Sequence, residues 1–377
     1  MELGLFLMPA HPPERDPRTA AEFDLSVIRR ADELGYVEAW IGEHFTLGWE
    51  PVPAPDLLIA QALRETSRIK LAPGAHLLPY HHPVELAHRV AYLDQLAGGR
   101  YMLGIGSGSL INDATLFGTV VRDEHGKPST GRNLAMTQEA LDIMLRIWQA
   151  DGPFEYRGEF WSFDFPAYDE LEAGPHIRPF QQPHPPIGMA GLSPRSGTLK
   201  AAGRRGFLPM SLNLSTGYLS GHWETYAAGA AEAGLTPSRA DWRVAREFLV
   251  AETDEEAIRL ATTGAMGRFL RDYMIATFVK NGFAHLMVPD PDLPADRITP
   301  EYMARNHWLV GSVDTVVERL VAQHHETGGW GVLLGLTYDF ADDPEPWMTS
   351  MQLMAEEVMP RVNERLAASA SPAGAAR

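Results

Sequence analysis

The sequence predicts an α/β chain closed into a (β/α)8 barrel, and three observations predict it. Short apolar runs alternate with longer amphipathic stretches along the chain. Several short runs are apolar at nearly every position, as strands covered on both faces must be. Glycine, histidine and hydroxyl residues follow run after run, so the carboxyl ends of the strands share one polar rim.

Residues 3–8 open the series as a strand, and residues 19–34 follow as a helix. Phe23, Val27, Ala31 and Leu34 recur there at helical spacing, and Gly35 stops the run. Residues 37–41 and 55–66 make the second pair, and 69–74 and 83–97 the third, with proline near the start of its helix. Residues 101–105 are the fourth strand. Its helix spans 131–150, with Leu134, Leu141, Leu145 and Trp148 on or near one face. Residues 186–190 and 194–203 make the fifth pair, and 207–212 and 218–234 the sixth. A seventh strand covers 242–251 with a helix from Asp254, and 330–337 with 344–366 closes the series.

Two stretches fall outside the repeat. Residues 151–184, rich in aromatics and proline, read as a hairpin. Residues 265–307, broken by Pro289, Pro291, Pro294 and Pro300, read as an insertion before the last βα unit, a candidate lid. Neither is long enough for a domain of its own, so 1–377 is expected to be one domain with a frayed tail over 367–377.

Thirty-two basic against 49 acidic residues give a net charge of −17, which argues against nucleic acid or an anionic membrane as partner. A phosphate group needs only a few local donors and is not excluded. Cysteine is absent, so disulfides, thiolate nucleophiles and cysteine-ligated metals are out. This fits a reducing cytoplasm, as does an N-terminus, Met1-Glu2-Leu3-Gly4-Leu5, unlike a signal peptide. No apolar run reaches membrane-spanning length.

The rim holds Pro9, Ala10 and His11; Glu43, His44 and Phe45; Gly74, Ala75 and His76; Gly106 to Ser109; Gly191, Leu192 and Ser193; Ser211 and Asn213. Gly104-Ile105-Gly106-Ser107-Gly108-Ser109 reads either as a tight turn or as a phosphate cradle, and it lacks the Rossmann spacing. Ala190-Gly191-Leu192-Ser193-Pro194-Arg195 reads either as an ordinary helix cap, with Ser193 capping, or as an anion site to which Arg132 adds a cation. His44, after the run Val37-Glu38-Ala39-Trp40-Ile41, is a candidate for chemistry beside core and capping readings. No metal site is expected: His81-His82 and His324-His325 are adjacent pairs with poor ligand spacing. No nucleophile elbow occurs. The residues alone point to a barrel enzyme that binds a phosphorylated cofactor or substrate.

Several ordered motifs resemble the bacterial luciferase-like flavin monooxygenases. They are Ala31-Asp32-Glu33-Leu34-Gly35-Tyr36 leading into Trp40-Ile41-Gly42-Glu43-His44, then Leu77-Leu78-Pro79 with His82-Pro83-Val84-Glu85-Leu86-Ala87. They continue with Leu93-Asp94-Gln95-Leu96-Ala97-Gly98-Gly99-Arg100 and Gln182-Pro183-His184-Pro185-Pro186-Ile187. Leu110-Ile111-Asn112-Asp113 with Phe117-Gly118 resembles the limonene-monooxygenase-like subgroup. The resemblance implies FMN at the strand ends, supplied reduced by a separate NAD(P)H:flavin reductase, with O2 as co-substrate and a C4a-hydroperoxide as oxygenating species. It implies a small apolar organic substrate, Baeyer–Villiger insertion, hydroxylation or epoxidation as the reaction, and a homodimer.

Residue by residue, it implies His44 as the catalytic histidine. Glu43, Ser107, Arg132, Ala190, Gly191, Leu192 and Ser193 bind flavin, with a cis peptide at Gly74-Ala75. Phe6, Met8, Trp40, Phe45, Trp49, Tyr80, Trp161 and Tyr338 are the candidates for a dry pocket. Gly106 and Ser107 stand where luciferase itself has a reactive cysteine and an arginine, so light emission is not implied. Two alternatives stand beside this reading: a deazaflavin-dependent oxidoreductase of the same superfamily, and a non-catalytic flavin-binding partner subunit.

Overall fold

The computed structural model describes residues 1–169, 171, 177–212, 215–280 and 282–370. Eight parallel strands form a ring in chain order: β1 (Glu2–Leu7), β2 (Glu38–Ile41), β3 (Lys70–Pro73), β4 (Leu103–Gly106), β5 (Ile187–Gly191), β6 (Leu208–Ser211), β7 (Arg243–Val250) and β8 (Val332–Leu336). β1 pairs with both β2 and β8. Between β3 and β4 the ring is joined by a Leu71–Tyr101 bridge and by His76–Leu77, which resumes the line of β3 and pairs with Ile105 and Gly106. The predicted barrel is therefore the observed architecture.

Local chemistry sets the helix boundaries. The first helix, Pro17–Leu34, begins with the Asp16 carboxylate accepting from the Thr19 amide, has proline at its first position, and ends at Gly35 with φ of 82°. Phe23, Val27, Ile28 and Ala31 form its buried stripe. The helix after β4, Gly131–Gln149, buries Leu141 and Trp148 but leaves Leu134 exposed. The helix after β5 starts at Gly197 with Ser196 as its cap, three residues later than the 194 expected, so Ser193 and Pro194 lie in the preceding turn.

The hairpin expected within 151–184 is present as Phe154–Arg157 paired antiparallel with Ser162–Phe165. In the 265–307 stretch, Ala265–Phe269 runs through a π-helical turn, Leu270–Met274, into Ile275–Lys280, and Pro300–Asn306 is a later helix. Four elements were not anticipated, among them the short helix Ile111–Leu116 and the hairpin of Val121–Arg122 with Pro128–Ser129. Leu309–Gly311 pairs beside the end of β7, and the helix Val313–Thr327 leads from it towards β8. Their signals were local: Ser312 caps the helix and Gly328 ends it. The last helix runs through Ala370, so residues 367–370 are ordered helix where a frayed tail was expected, and 371–377 lie outside the described residues.

The barrel interior is organised by Trp40, which is wholly buried. A Cβ on Gly188 would lie 2.7 Å from its ring, and one on Gly104 would lie 3.1 Å from the ring and 2.1 Å from the Pro73 carbonyl. Glycine at both positions is thus a packing requirement. Trp40, expected in the substrate pocket, is instead a plug inside the barrel, because its indole Nε1 donates to Glu38 below it at 2.9 Å. Glu38 in turn receives Nε and Nη2 of Arg243 from β7, at 3.1 and 3.0 Å.

Candidate active site

At the carboxyl ends of the strands the barrel opens. Met8, Gly74, Ala75, Gly106, Ser107, Ala190 and Leu192 keep partial exposure, while Leu7, Ile41, Ala72, Ile105 and Met189 beneath them are buried. The Gly74–Ala75 peptide is cis, and so is Gln182–Pro183, which had not been anticipated.

His44 sits just past β2, its amide donating to the Val52 carbonyl at 2.9 Å. Its Nε2 meets a carboxylate oxygen of Glu50 at 3.2 Å. Its Nδ1 lies 4.0 Å from Asp113 of the short helix Ile111–Leu116 that follows β4. Glu50 and Asp113 are both buried. Burial pulls the His44 pKa down, but the charge and hydrogen bond of Glu50, then Asp113, outweigh it, and the net shift is upward. Nδ1 of His44 and Oδ2 of Asp113 are buried and without hydrogen-bond partners among the described residues. Asp113 is held through its other oxygen by the Thr46 hydroxyl. The arrangement leaves Nε2 anchored on Glu50 and Nδ1 buried beside Asp113 without a hydrogen bond.

Glu43 does not face the mouth. It is buried and accepts from His76 Nδ1 at 2.8 Å, His81 Nε2 at 2.6 Å and the Leu77 amide at 3.3 Å. The other nitrogen of His76 donates to Asp56 at 2.9 Å, and Asp56 pairs with Arg89 Nε at 2.6 Å. Both nitrogens of His76 face carboxylates, so both carry protons. Burial opposes that charge, but Asp56 and then Glu43 raise the pKa to about 9. Burial would likewise raise the Glu43 pKa, yet the hydrogen bonds from His76 and His81 bring it down to about 2. The flavin-edge role expected for Glu43 is replaced by a structural one, because its oxygens are committed to this network. Donor atoms of Glu43, His76 and His81 lie within 4.8 Å of one another, close enough for a metal. Arg89 donates to His81 Nδ1 at 3.3 Å, however, which places the His81 proton on Nε2, where a metal would need the lone pair.

The sign of the pH dependence follows. His76, raised from 6.5, stabilises the fold fully below about pH 6.5 and loses that contribution as pH rises through about 9. Glu43, lowered from 4.5, contributes above that value and loses it as pH falls towards about 2. His76→Gln is expected to destabilise the chain by about 3–5 kcal/mol near pH 6, the cost of breaking a buried charge pair. In urea unfolding at several pH values the deficit should shrink between pH 6.5 and about 9. A deficit that does not change over that window would show that His76 is not held as a cation.

The other predicted site residues fall into separate groups. His222 Nε2 donates to the Ser193 carbonyl at 2.8 Å, while its Nδ1 and the Trp242 indole both meet the Ser211 hydroxyl at 2.9 Å. That chain ties the Gly191–Leu192–Ser193 turn to β6; Asn213 lies outside the described residues. Arg132 makes no ion pair among the described residues and sits 4.9 Å from the Phe160 ring. It lines a cavity of about 310 Å³ with Tyr80, His81, Thr119 and Trp161. The Thr119 hydroxyl and the Asn133 Oδ1 are buried there or close by, without hydrogen-bond partners among the described residues.

Phe45, Tyr80 and Phe117 pack together, with Phe45 and Phe117 rings 4.6 Å apart and Tyr80 and Phe117 4.8 Å. Trp49 and Tyr338 each pack on Phe269, and Trp49 lines a separate cavity of about 320 Å³ with Arg15, Arg268 and Asp339. The aromatic residues expected to form one pocket therefore stand on two sides of the mouth. His11, also placed on the rim, is buried between Asp24 at 3.1 Å and Asp339 at 2.9 Å. Glu50, Asp56 and Tyr273 carried no pattern that singled them out.

The sequence model described as luciferase-like monooxygenase matches residues 1–330. The 3,6-diketocamphane 1,6-monooxygenase of Pseudomonas putida is 36% identical over 372 residues, covering 96% of this chain and 98% of the relative. Limonene 1,2-monooxygenase of Rhodococcus erythropolis is 31% identical over 365 residues, covering 96% of this chain and 87% of the relative. Among solved structures, the oxygenating constituent of the P. putida 3,6-diketocamphane monooxygenase, a type II Baeyer–Villiger enzyme in complex with FMN, superposes with a TM-score of 0.89 at 36% identity, covering 96% of this chain and 98% of that one.

Proposed function

This flavin-dependent monooxygenase belongs to the luciferase-like monooxygenase family, and on that premise we propose that it is the oxygenating component of a two-component system acting on a cyclic, apolar ketone. In this reading a separate NAD(P)H:flavin reductase supplies reduced FMN, O2 is the co-substrate, and the reaction is Baeyer–Villiger insertion. The observation that carries it is the full-length similarity to the diketocamphane enzyme together with His44 set between two buried carboxylates at the barrel mouth. Reduced flavin, when bound, supplies the two electrons that activate O2.

The chain's own residues do the rest. Gly74, Ala75 and Ser107 line the mouth where a flat ring would lie, with small or short side chains that let it approach. The backbone of Ala190 to Ser193 suits a phosphate group, with His222 holding the Ser193 carbonyl away from it, and Arg132, which makes no ion pair among the described residues, is the cation this reading assigns to that phosphate. His44 holds a proton at the mouth, with Glu50 fixing its Nε2. Met8, Phe45, Trp49, Tyr80, Trp161 and Tyr338 keep water from the reacting centre. A homodimer belongs to the same proposal and rests on the family resemblance.

The test is oxygen incorporation. The purified chain is incubated with a flavin reductase, NADH, FMN, 18O2 and 3,6-diketocamphane. One 18O in a ring-expanded lactone is the expected product. Epoxide from limonene with an untouched ketone would replace insertion by epoxidation. Failure to bind FMN, with no labelled product from either compound, would sink the reading.

A further inference from the structure

We propose that Tyr273, carried by the insertion, is a positioning residue for His44, its hydroxyl fixing Glu50 so that the second carboxylate oxygen meets the histidine. The inference rests on the reading of His44 as the proton-handling residue. The contacts form a line: the Tyr273 hydroxyl donates to Glu50 Oε1 at 2.9 Å, and Glu50 Oε2 lies 3.2 Å from His44 Nε2. Glu50 is only 6% exposed and sits in the proline-flanked loop after β2. Among the described residues these two are its polar side-chain partners. A free carboxylate there could swing; one oxygen pinned by a neutral donor cannot, and the other is aimed.

Tyr273 suits the task in two separable ways. Its ring is held by stacking on Trp49, centroids 6.0 Å apart, and by edge contact with Phe269 at 5.1 Å. Its hydroxyl has the single task of donating to Glu50. Burial, and then the charge of Glu50, push its ionisation far above the accessible range, so the donor persists at every working pH. It lies on the π-helical turn Leu270–Met274, and a turn of that kind re-aims a side chain relative to a regular helix. The insertion, which contributes no strand to the ring, thereby reaches the histidine through one hydrogen bond. Removing the hydroxyl alone should disturb His44 while leaving the aromatic packing in place.

Three carboxylates influence His44: Glu50 from its own loop, Asp113 from the short helix Ile111–Leu116, and Glu43 beside it in the chain. Tyr273 faces Glu50 rather than the histidine. Two measurements test the proposal. The first needs neither flavin nor substrate. The His44 ring is titrated by NMR in 13C-histidine-labelled native protein, Tyr273→Phe and Glu50→Gln, its resonance assigned by its loss in His44→Ala. Glu50→Gln should lower the His44 pKa by about one to two units, and Tyr273→Phe should lower it in the same direction by a smaller step. An unchanged or raised value in Tyr273→Phe, with Glu50→Gln lowered, overturns the proposal.

The second measurement is a double-mutant cycle on kcat for diketocamphane oxygenation. Tyr273→Phe should lose about tenfold in kcat with KM little changed, and nothing further in the His44→Ala background. Equal losses in both backgrounds would mark a merely structural tyrosine and overturn the proposal. If the native chain does not oxygenate the ketone, the functional reading has failed and the titration still decides the role of Tyr273.

Discussion

Replacing His44 by alanine should lower kcat for ketone oxygenation by about 10²–10⁴-fold, the usual worth of one positioned acid or base. Flavin affinity should change little, because the ring is anchored on Glu50 and the His44 amide on the Val52 carbonyl, not on the groups proposed for the phosphate. The direction of the pH profile follows from the same geometry. Two buried carboxylates raise the histidine's pKa above 6.5 against the pull of burial, so the imidazolium survives to higher pH than in a free peptide. If the protonated ring is the working form, activity should decline on the alkaline side with a midpoint above 6.5, and Glu50→Gln should bring that midpoint down. A His44→Ala variant that binds FMN and makes lactone at the native rate would remove the histidine from the mechanism altogether. Rate and binding must both be measured, because a loss of flavin affinity alone would mean that the ring shapes the cradle rather than moves a proton.

The fold was legible because the barrel repeats one local rule. Each apolar run that must be covered on both faces, followed by a capped amphipathic helix, states its own place, and Asp16 with Gly35 shows how cheaply an end can be marked. The position of His44 beyond the strand was legible for a similar reason: a strand that ends in Gly-Glu-His has left the core. Its partners were not. Glu50 is separated from His44 by a loop that only tertiary packing folds back, and Tyr273 arrives from more than 200 positions downstream, the separation between it and Glu50 being 223 residues. Neither has a periodicity to betray it. Glu43 misled for the opposite reason. It stands beside His44 in the sequence, but successive residues at a strand end point to opposite sides, and Glu43 turns inward to His76 and His81. Trp40 misled because a large aromatic near a site suggests a pocket wall, whereas the signal that it fills the barrel lies in Gly104 and Gly188 on other strands.

A loss of stability as large as that at His76 is expected at the opposite end of the barrel, from Glu38→Ala. Glu38 and Arg243 lie at the amino ends of β2 and β7, and their side chains are 2% and 11% exposed. Three donors converge on the one carboxylate: Nε and Nη2 of Arg243 and the Trp40 indole. Among the described residues, removing it leaves a guanidinium with a single carbonyl partner, that of Asp241, and a buried indole N–H with none. Breaking a buried pair costs about 3–5 kcal/mol, because the survivor keeps its desolvation penalty. Urea unfolding should show that loss for Glu38→Ala. A smaller one is expected for Glu38→Gln, which keeps an acceptor for the indole but forfeits the charge. The double variant Glu38→Leu, Arg243→Met should recover much of the deficit, since buried ion pairs are often replaceable by apolar groups of similar size. The rate per folded molecule should stay native in all of them, for the pair sits beneath Trp40 and the mouth lies above it. A Glu38→Ala variant as stable as the native chain would mean that water reaches the barrel floor and that Trp40, not the ion pair, closes it.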